Sequence, residues 1–334
     1  MRLGRRVWSC LGWSLILVAF VAAGFLLYMT SMPGKSFSGA LFPLSAEESR
    51  IRANLNQHVN YLAGTIGERN VIAYESLQKT AQYLEDNFKA LGYTVQPQEY
   101  MVQMRKVRNL IAEIHGGAKA NEIVVIGAHY DTVYDCPGAD DNTSGIAALL
   151  ELARLLKSSH PARTIRFVAF VNEEPPWFQT EDMGSLVYAE QSHKLKENLV
   201  AAVSLETIGM YSDAEGSQQY PQGFKSLYPS RGNFITFIGD LSSHDLVRDA
   251  VRSFRAAVQF PSEGSSAPGA IPGIGWSDHW SFWQEGYPAI MVTDTAPFRN
   301  PNYHRPTDTA DTLDYDRMAR VVHGLVRVAT DLGK

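Results

Sequence analysis

The chain has 334 residues, 45% of them hydrophobic and 19% charged, enough for a large buried core in one or two domains. Its formal net charge is −5, with both signs spread along the chain. No basic block or aromatic-interleaved Lys/Arg stripe occurs, so nucleic-acid binding has no support. Two cysteines, Cys10 in an apolar N-terminal run and Cys136 in the body, give no basis for a disulfide framework.

Residues 1–6 carry Arg2, Arg5 and Arg6 and read as a cytoplasmic basic N-terminus. From Val7 to Gly34 there are 28 residues without a charge. A spanning helix needs about 20 apolar residues and a signal-peptide core about 7–15, so residues 7–30 are expected to form an uncleaved transmembrane anchor. The arginines would hold its start in the cytoplasm and send the body to the periplasmic or extracellular side. Ala22-Ala23-Gly24 offers a small-residue cleavage site as the alternative, and the body is exported in either case.

Residues 31–45 read as a linker with turn chemistry, and residues 46–334 as one catalytic domain. Ser45 with Glu48 forms a capping-box pattern at a helix start. Leu77, Ala81, Leu84, Phe88 and Leu91 define an amphipathic helix that Gly92 ends. Tyr93 to Gln103 and Lys106 to His115 read as paired strands, the first near an edge.

Val124 to Asp131 is an apolar strand that ends in His129 and Asp131. A Gly-bearing loop with Asp140 and Asp141 follows, then a buried helix from Ser144 to Ser158. Further strands are expected at Thr164–Val171, Leu199–Glu206, Asn233–Ile238 and Tyr287–Thr293, and a closing helix at Tyr315–Leu332. The alternation predicts an α/β fold, a single doubly wound, mostly parallel mixed sheet with helices on both faces. Tyr211–Gly232 and Pro261–Gly275 lack a period and read as lids or pocket walls.

The chemistry collects at strand ends. His129 and Asp131 end one strand and Asp141 follows it. Glu173 and Glu174 end the next, Glu206 ends another, and His304 comes after the last. Singly, each has an ordinary structural role: a solvated pair, an N-cap, a buried imidazole. Their joint, ordered occurrence at the carboxyl edge of one sheet points to a metal site whose nitrogen and oxygen ligands suit zinc.

His-Tyr-Asp-Thr, Gly-Ala-Asp-Asp-Asn-Thr-Ser-Gly, Asn-Glu-Glu, Ser-Asp-His-Trp-Ser-Phe and Tyr-His-Arg-Pro-Thr-Asp-Thr together resemble the family twenty-eight metallopeptidases, over about residues 46–334. These are co-catalytic di-zinc exopeptidases that include leucyl-type aminopeptidases and glutamate carboxypeptidase. The resemblance implies two zinc ions per chain and a peptide substrate. It implies Asp141 as the carboxylate shared by both ions, His129 and Glu206 on one, and Glu174 and His304 on the other. It further implies Glu173 as general base, Asp131 as the carboxylate that orients His129, Tyr303 as an oxyanion contact, and a cis bond between Asp141 and Asn142.

Asp140 has no counterpart among the ligands and reads as a cap. His279 stands between a pocket and a structural role, and Cys136 reads as a small buried thiol. Pro175–Met183, with Trp177 and Phe178, reads as a pocket wall or a staple for its own loop. Glu206 departs from the aspartate common in related aminopeptidases. An aminopeptidase is the expected activity. A carboxypeptidase would need a basic residue for the terminal carboxylate, for which Arg231, Arg299 and Arg305 are candidates. A one-zinc glutaminyl cyclase and a metal-free, non-catalytic ectodomain are the other readings.

Overall fold

The computed structural model describes residues 2–334, with side chains from residue 16 onward. The basic stretch 1–6 and the first part of the expected span 7–30 therefore have their side chains outside the described residues. Helix α1 (Arg2–Thr30) covers the expected span, with Ile16, Leu17, Val18, Phe20 and Val21 exposed along it. Among the described residues, no helix is long and apolar enough to cross a membrane.

The body is built on one eight-stranded mixed sheet in the order β1-β2-β4-β3-β5-β8-β6-β7. The strands are β1 (Val95–Val102), β2 (Arg105–Ile114), β3 (Lys119–His129), β4 (Arg163–Phe170), β5 (Asn198–Glu206), β6 (Ile235–Gly239), β7 (Ser262–Ser266) and β8 (Ala289–Thr293). β4, β3, β5 and β8 are mutually parallel. Their carboxyl ends share one edge, so residues ending them converge whatever their separation in sequence.

The central strands are apolar on both faces because both are covered. Val124, Ile126 and Ala128 of β3 face α2 (Ala46–Val59), α3 (Tyr74–Ala90), α4 (Gly145–Leu156), α6 (His244–Ala257) and α8 (Tyr315–Leu332). Ile123 and Val125 face the other way, toward α5 (Gly184–Lys194) and α7 (His279–Gln284). The expected alternation of strands and helices is thus present as a mixed sheet with helices on both sides.

Local signals hold where they were strong. Ser45 and Glu48 bond reciprocally at the start of α2 (3.2 and 2.8 Å). Leu77, Ala81, Leu84 and Phe88 are fully buried on α3, and Gly92 takes φ +81° just beyond its end. β1 is the edge strand that its polar alternation indicated. Four elements were not expected: α5, α6, β7 and α7. Strand β7, Ser-Glu-Gly-Ser-Ser, lies inside the segment read as a loop, because pairing with β6 rather than propensity makes it a strand.

The linker 31–45 lies against the body. Arg255 donates to the Pro33 carbonyl (3.0 Å), the Ser262 amide donates to Ser36 Oγ (3.0 Å), and Arg320 donates to the Phe42 carbonyl.

Gly145, first residue of α4, sits where a Cβ would meet the Leu205 carbonyl oxygen at 2.5 Å and Asn142 Oδ1 at 2.4 Å. The helix thus approaches the β5 strand end as closely as backbone permits. Gly145→Ala is expected to cost about 1–3 kcal/mol through overpacking, read as a lower midpoint in urea unfolding. An unchanged midpoint would mean the loop yields freely.

Candidate metal centre

The loop after β3 is held before any ligand is considered. Asp308 accepts from the backbone N–H groups of Asp140 and Asp141 (3.0 and 3.1 Å). Fully buried Arg69 donates to the Tyr130 and Gly138 carbonyls (2.7 and 2.9 Å). Asn142 Nδ2 donates to the Leu205 carbonyl (2.8 Å), and Asn142 Oδ1 accepts from Gly145 N and Thr207 N. The Asp141–Asn142 peptide is cis.

This frame puts Asp141 at the centre of the cluster. Its Oδ1 lies 3.3 Å from His129 Nε2, which is 3.2 Å from Glu206 Oε2. Its Oδ2 lies 3.1 Å from His304 Nε2, which is 3.2 Å from Glu174 Oε2. One carboxylate therefore faces two separate imidazole–carboxylate pairs. His129, Asp141 and Glu174 each present a ligand atom within 4.8 Å of the others.

Glu173 Oε2 stands further off, 3.8 Å from His129 Nε2. Asp131 lies on the other side of that ring, 3.5 Å from Nδ1, and accepts from the Glu173 and Glu174 amides (both 3.1 Å). It therefore couples the end of β3 to the end of β4. Tyr303 stacks on His304 with ring centroids 3.9 Å apart and also borders the adjoining cavity.

The buried donor atoms are short of partners. His129 Nδ1 and Nε2, His304 Nε2 and Glu174 Oε1 make no hydrogen bond, although carboxylate oxygens stand close by. Lone pairs aimed at common points rather than at each other are what a cation would satisfy.

The electrostatics agree. Burial alone would push the His129 imidazole down, but Glu206 and Glu173 outweigh it and hold it well above its usual range. At His304 burial is likewise outweighed by Asp141 and Glu174, raising it to about 10. Glu173 and Glu206 are pushed up by burial, and Glu174 by burial and Asp141 to about 8. Only Asp141, between both imidazoles, is held down despite its burial. Carboxylates outnumber imidazoles here, and cations bound among them would reverse these shifts.

Three residues at or beside this site take left-handed backbone: Asn172 (φ +61°), Thr207 (φ +44°) and His304 (φ +56°). For β-branched Thr207 this is an outlier, and such conformations cost about 1–3 kcal/mol each. They fall just before Glu173, just after Glu206 and at His304 itself, so the chain turns at each of these positions.

Some residues stand elsewhere than expected. Asp140 does not cap α4. Its carboxylate accepts from Gly209 N (2.9 Å) and Asn300 Nδ2 (2.8 Å), tying three loops together, because the turn Ala139–Ser144 separates it from the first amides of α4, whose N-cap position is Ser144. His279 is structural: fully buried, it pairs with the Ile274 carbonyl (2.7 Å) and meets Trp283 edge-on. Cys136 is a buried thiol that donates to the Arg305 carbonyl.

Asp308, Arg69, Ser277 and Asp278 were not singled out from the sequence. Ser277 Oγ donates to Glu206 Oε2 (2.7 Å), and buried Asp278 has both oxygens unbonded. Asp308, Ser277 and Asp278 lie inside motifs already quoted, whereas Arg69 carries no local signal.

Beside the cluster lies a cavity of about 80 Å³, bordered by Glu206 and Tyr303 and walled by Tyr220, Phe224, Tyr228 and Trp276. The first aperiodic loop supplies the three aromatic residues Tyr220, Phe224 and Tyr228, and the second supplies Ile271 and Ile274. Trp177 and Phe178 do not border it, and Trp177 packs on the main core.

The model of peptidase family M28 matches residues 109–329. YfbL of Escherichia coli is 40% identical over 281 residues, covering 81% of this chain and 85% of YfbL. Aminopeptidase YwaD of Bacillus subtilis is 37% identical over 103 residues, 31% of this chain and only 21% of YwaD. The solved structure of a zinc aminopeptidase from Bacillus subtilis superposes with a TM-score of 0.66 at 15% identity. It covers 87% of this chain and 96% of that one, a likeness of fold. The chain therefore belongs to peptidase family M28 and is a hydrolase of the metallopeptidase kind.

Proposed function

We propose that the chain is a membrane-anchored two-zinc aminopeptidase that removes apolar residues from the N-termini of peptides. The observation that carries the metal assignment is Asp141, whose two oxygens each face their own buried imidazole–carboxylate pair. Asp141 would be shared, with His129 and Glu206 completing one position and Glu174 and His304 the other. When bound, two such ions polarise a scissile carbonyl and lower the pKa of a water toward neutrality.

The chain's own residues do the rest. Glu173 stands outside both pairs, its Oε2 3.8 Å from His129 Nε2, which leaves its carboxylate to accept a proton and pass it on. It would take the proton of the attacking water and deliver it to the leaving amine. Asp131 fixes the end of β4 through two amides and so sets where Glu173 and Glu174 point. Tyr303, half-buried, stacked on His304 and bordering the cavity, would offer its hydroxyl to the oxyanion.

Two observations favour the amino terminus as the end being read. The excess of buried carboxylates suits a protonated amine. Of the loop arginines, Arg299 already donates to Gln218 Oε1 and the Phe234 carbonyl (2.8 and 2.9 Å), and Arg231 to Glu215 (3.0 Å). The aromatic cavity bordering Glu206 suits an apolar side chain.

The anchor rests on the run from Val7 to Gly34, 28 residues without a charge where a span needs about 20 apolar ones. Its orientation, with the body exported, follows from Arg2, Arg5 and Arg6.

Glu173→Gln is expected to retain both metals and lose about 10²–10⁴-fold in kcat, while Asp141→Asn loses metal and activity together. Metal analysis of both purified variants checks this, and a metal-free Glu173→Gln protein would defeat the assignment. On an aminoacyl-nitroanilide panel, chelator-sensitive cleavage should favour leucyl and phenylalanyl over aspartyl substrates. Cleavage of an N-blocked dipeptide instead would reverse the end being read. Alkaline carbonate should leave the full chain in the membrane pellet, and its release to the supernatant would remove the anchor.

A further inference from the structure

The apolar cavity is backed by the N-terminal helix. Its wall residues Ile238, Ile271, Ile274 and Met291 belong, with Ala267 and buried Met29, to one packed cluster. Thr236 pairs with Thr293 and Ile238 with Met291, so along the sheet the cavity runs inward from the strand end that carries the metal ligands. Two residues of strand carry it about 7 Å. Met29, at the end of α1, packs behind that inner wall.

The helix end is fixed in place from several sides. Tyr28 stacks on His244 with ring centroids 3.8 Å apart. Met32 lies so close to Gly264 of β7 that a Cβ there would meet its sulfur at 2.8 Å. Arg248 donates to the Ser31 carbonyl, and Arg255 to the Pro33 and Gly34 carbonyls (3.0 and 3.3 Å). Among the described residues, Met29 is what α1 contributes to that cluster. An unbranched thioether suits such an irregular gap, and its truncation would let Ile238 and Met291 relax away from the cavity.

We infer that Met29 is a positioning residue for substrate selection: the docked end of the N-terminal helix sets the shape of the inner wall that receives an apolar side chain. This rests on the aminopeptidase reading. It means that the same segment proposed to hold the protein in the membrane also completes its specificity pocket. Removing that segment would change selectivity without touching a metal ligand.

The test uses the full chain, metal-loaded in detergent, with leucyl- and alanyl-nitroanilide. Met29→Ala should raise KM for the leucyl substrate about tenfold, with kcat within about twofold. KM for the alanyl substrate, too short to reach the inner wall, should not move. Met29→Leu should restore the leucyl KM. Equal changes on both substrates, or none on either, would overturn the inference. If the wild type cleaves neither substrate, the aminopeptidase reading fails and binding decides the inference: hexan-1-ol should raise the melting temperature of the wild type more than that of Met29→Ala. Equal shifts would overturn it.

Discussion

A buried carboxylate held between two imidazoles is the constraint on which the rest of this molecule turns. Asp141 is buried, charged, and within 3.1–3.3 Å of ring nitrogens on both sides. Around it Glu173, Glu174, Glu206, Asp131 and Asp278 are also buried. Concentrating so many acidic groups away from water is costly unless cations or bonded donors offset it. The fold supplies donors to the loop and to the orienting carboxylates, and leaves the ring nitrogens of His129 and His304 unbonded.

The rigidity of that arrangement comes from residues that do no chemistry. Asp308 grips two successive amides of the β3–α4 loop, Asn142 ties the loop to β5, and Asp131 grips two successive amides beyond β4. Each carboxylate acts as a clamp on backbone, fixing a direction rather than a distance. Left-handed residues at Asn172, Thr207 and His304 then turn the chain where a regular strand would carry the ligands apart. This strain is sustained because the surrounding bonds leave little alternative.

The polar cluster adjoins an apolar half built from different material. The two long aperiodic segments, unremarkable as sequence, supply Tyr220, Phe224 and Tyr228 from one and Ile271 and Ile274 from the other around a narrow cavity. Behind it the last turn of α1 is seated on β7 and α6 by stacking, by a thioether lying on glycine and by arginine–carbonyl bonds. The end of the N-terminal helix and the inner wall of the cavity are thereby parts of one packed unit.

What the sequence determined by itself was local and periodic. The capping box at Ser45, the α3 stripe and the apolar runs of the central strands followed from backbone geometry and burial, which act over a few residues. The ligand set was legible because parallel strands must end on one edge, so His129, Asp141, Glu173, Glu174, Glu206 and His304 could be gathered without knowing the strand order. Tertiary structure alone decided what depends on distant partners. Strand β7 exists through pairing, Asp140 bridges loops through Gly209 and Asn300, and Arg69 reaches its carbonyls across more than sixty residues. The seat of Met29 is of the same kind, since a cavity wall is a property of packed surfaces and leaves no period in a sequence.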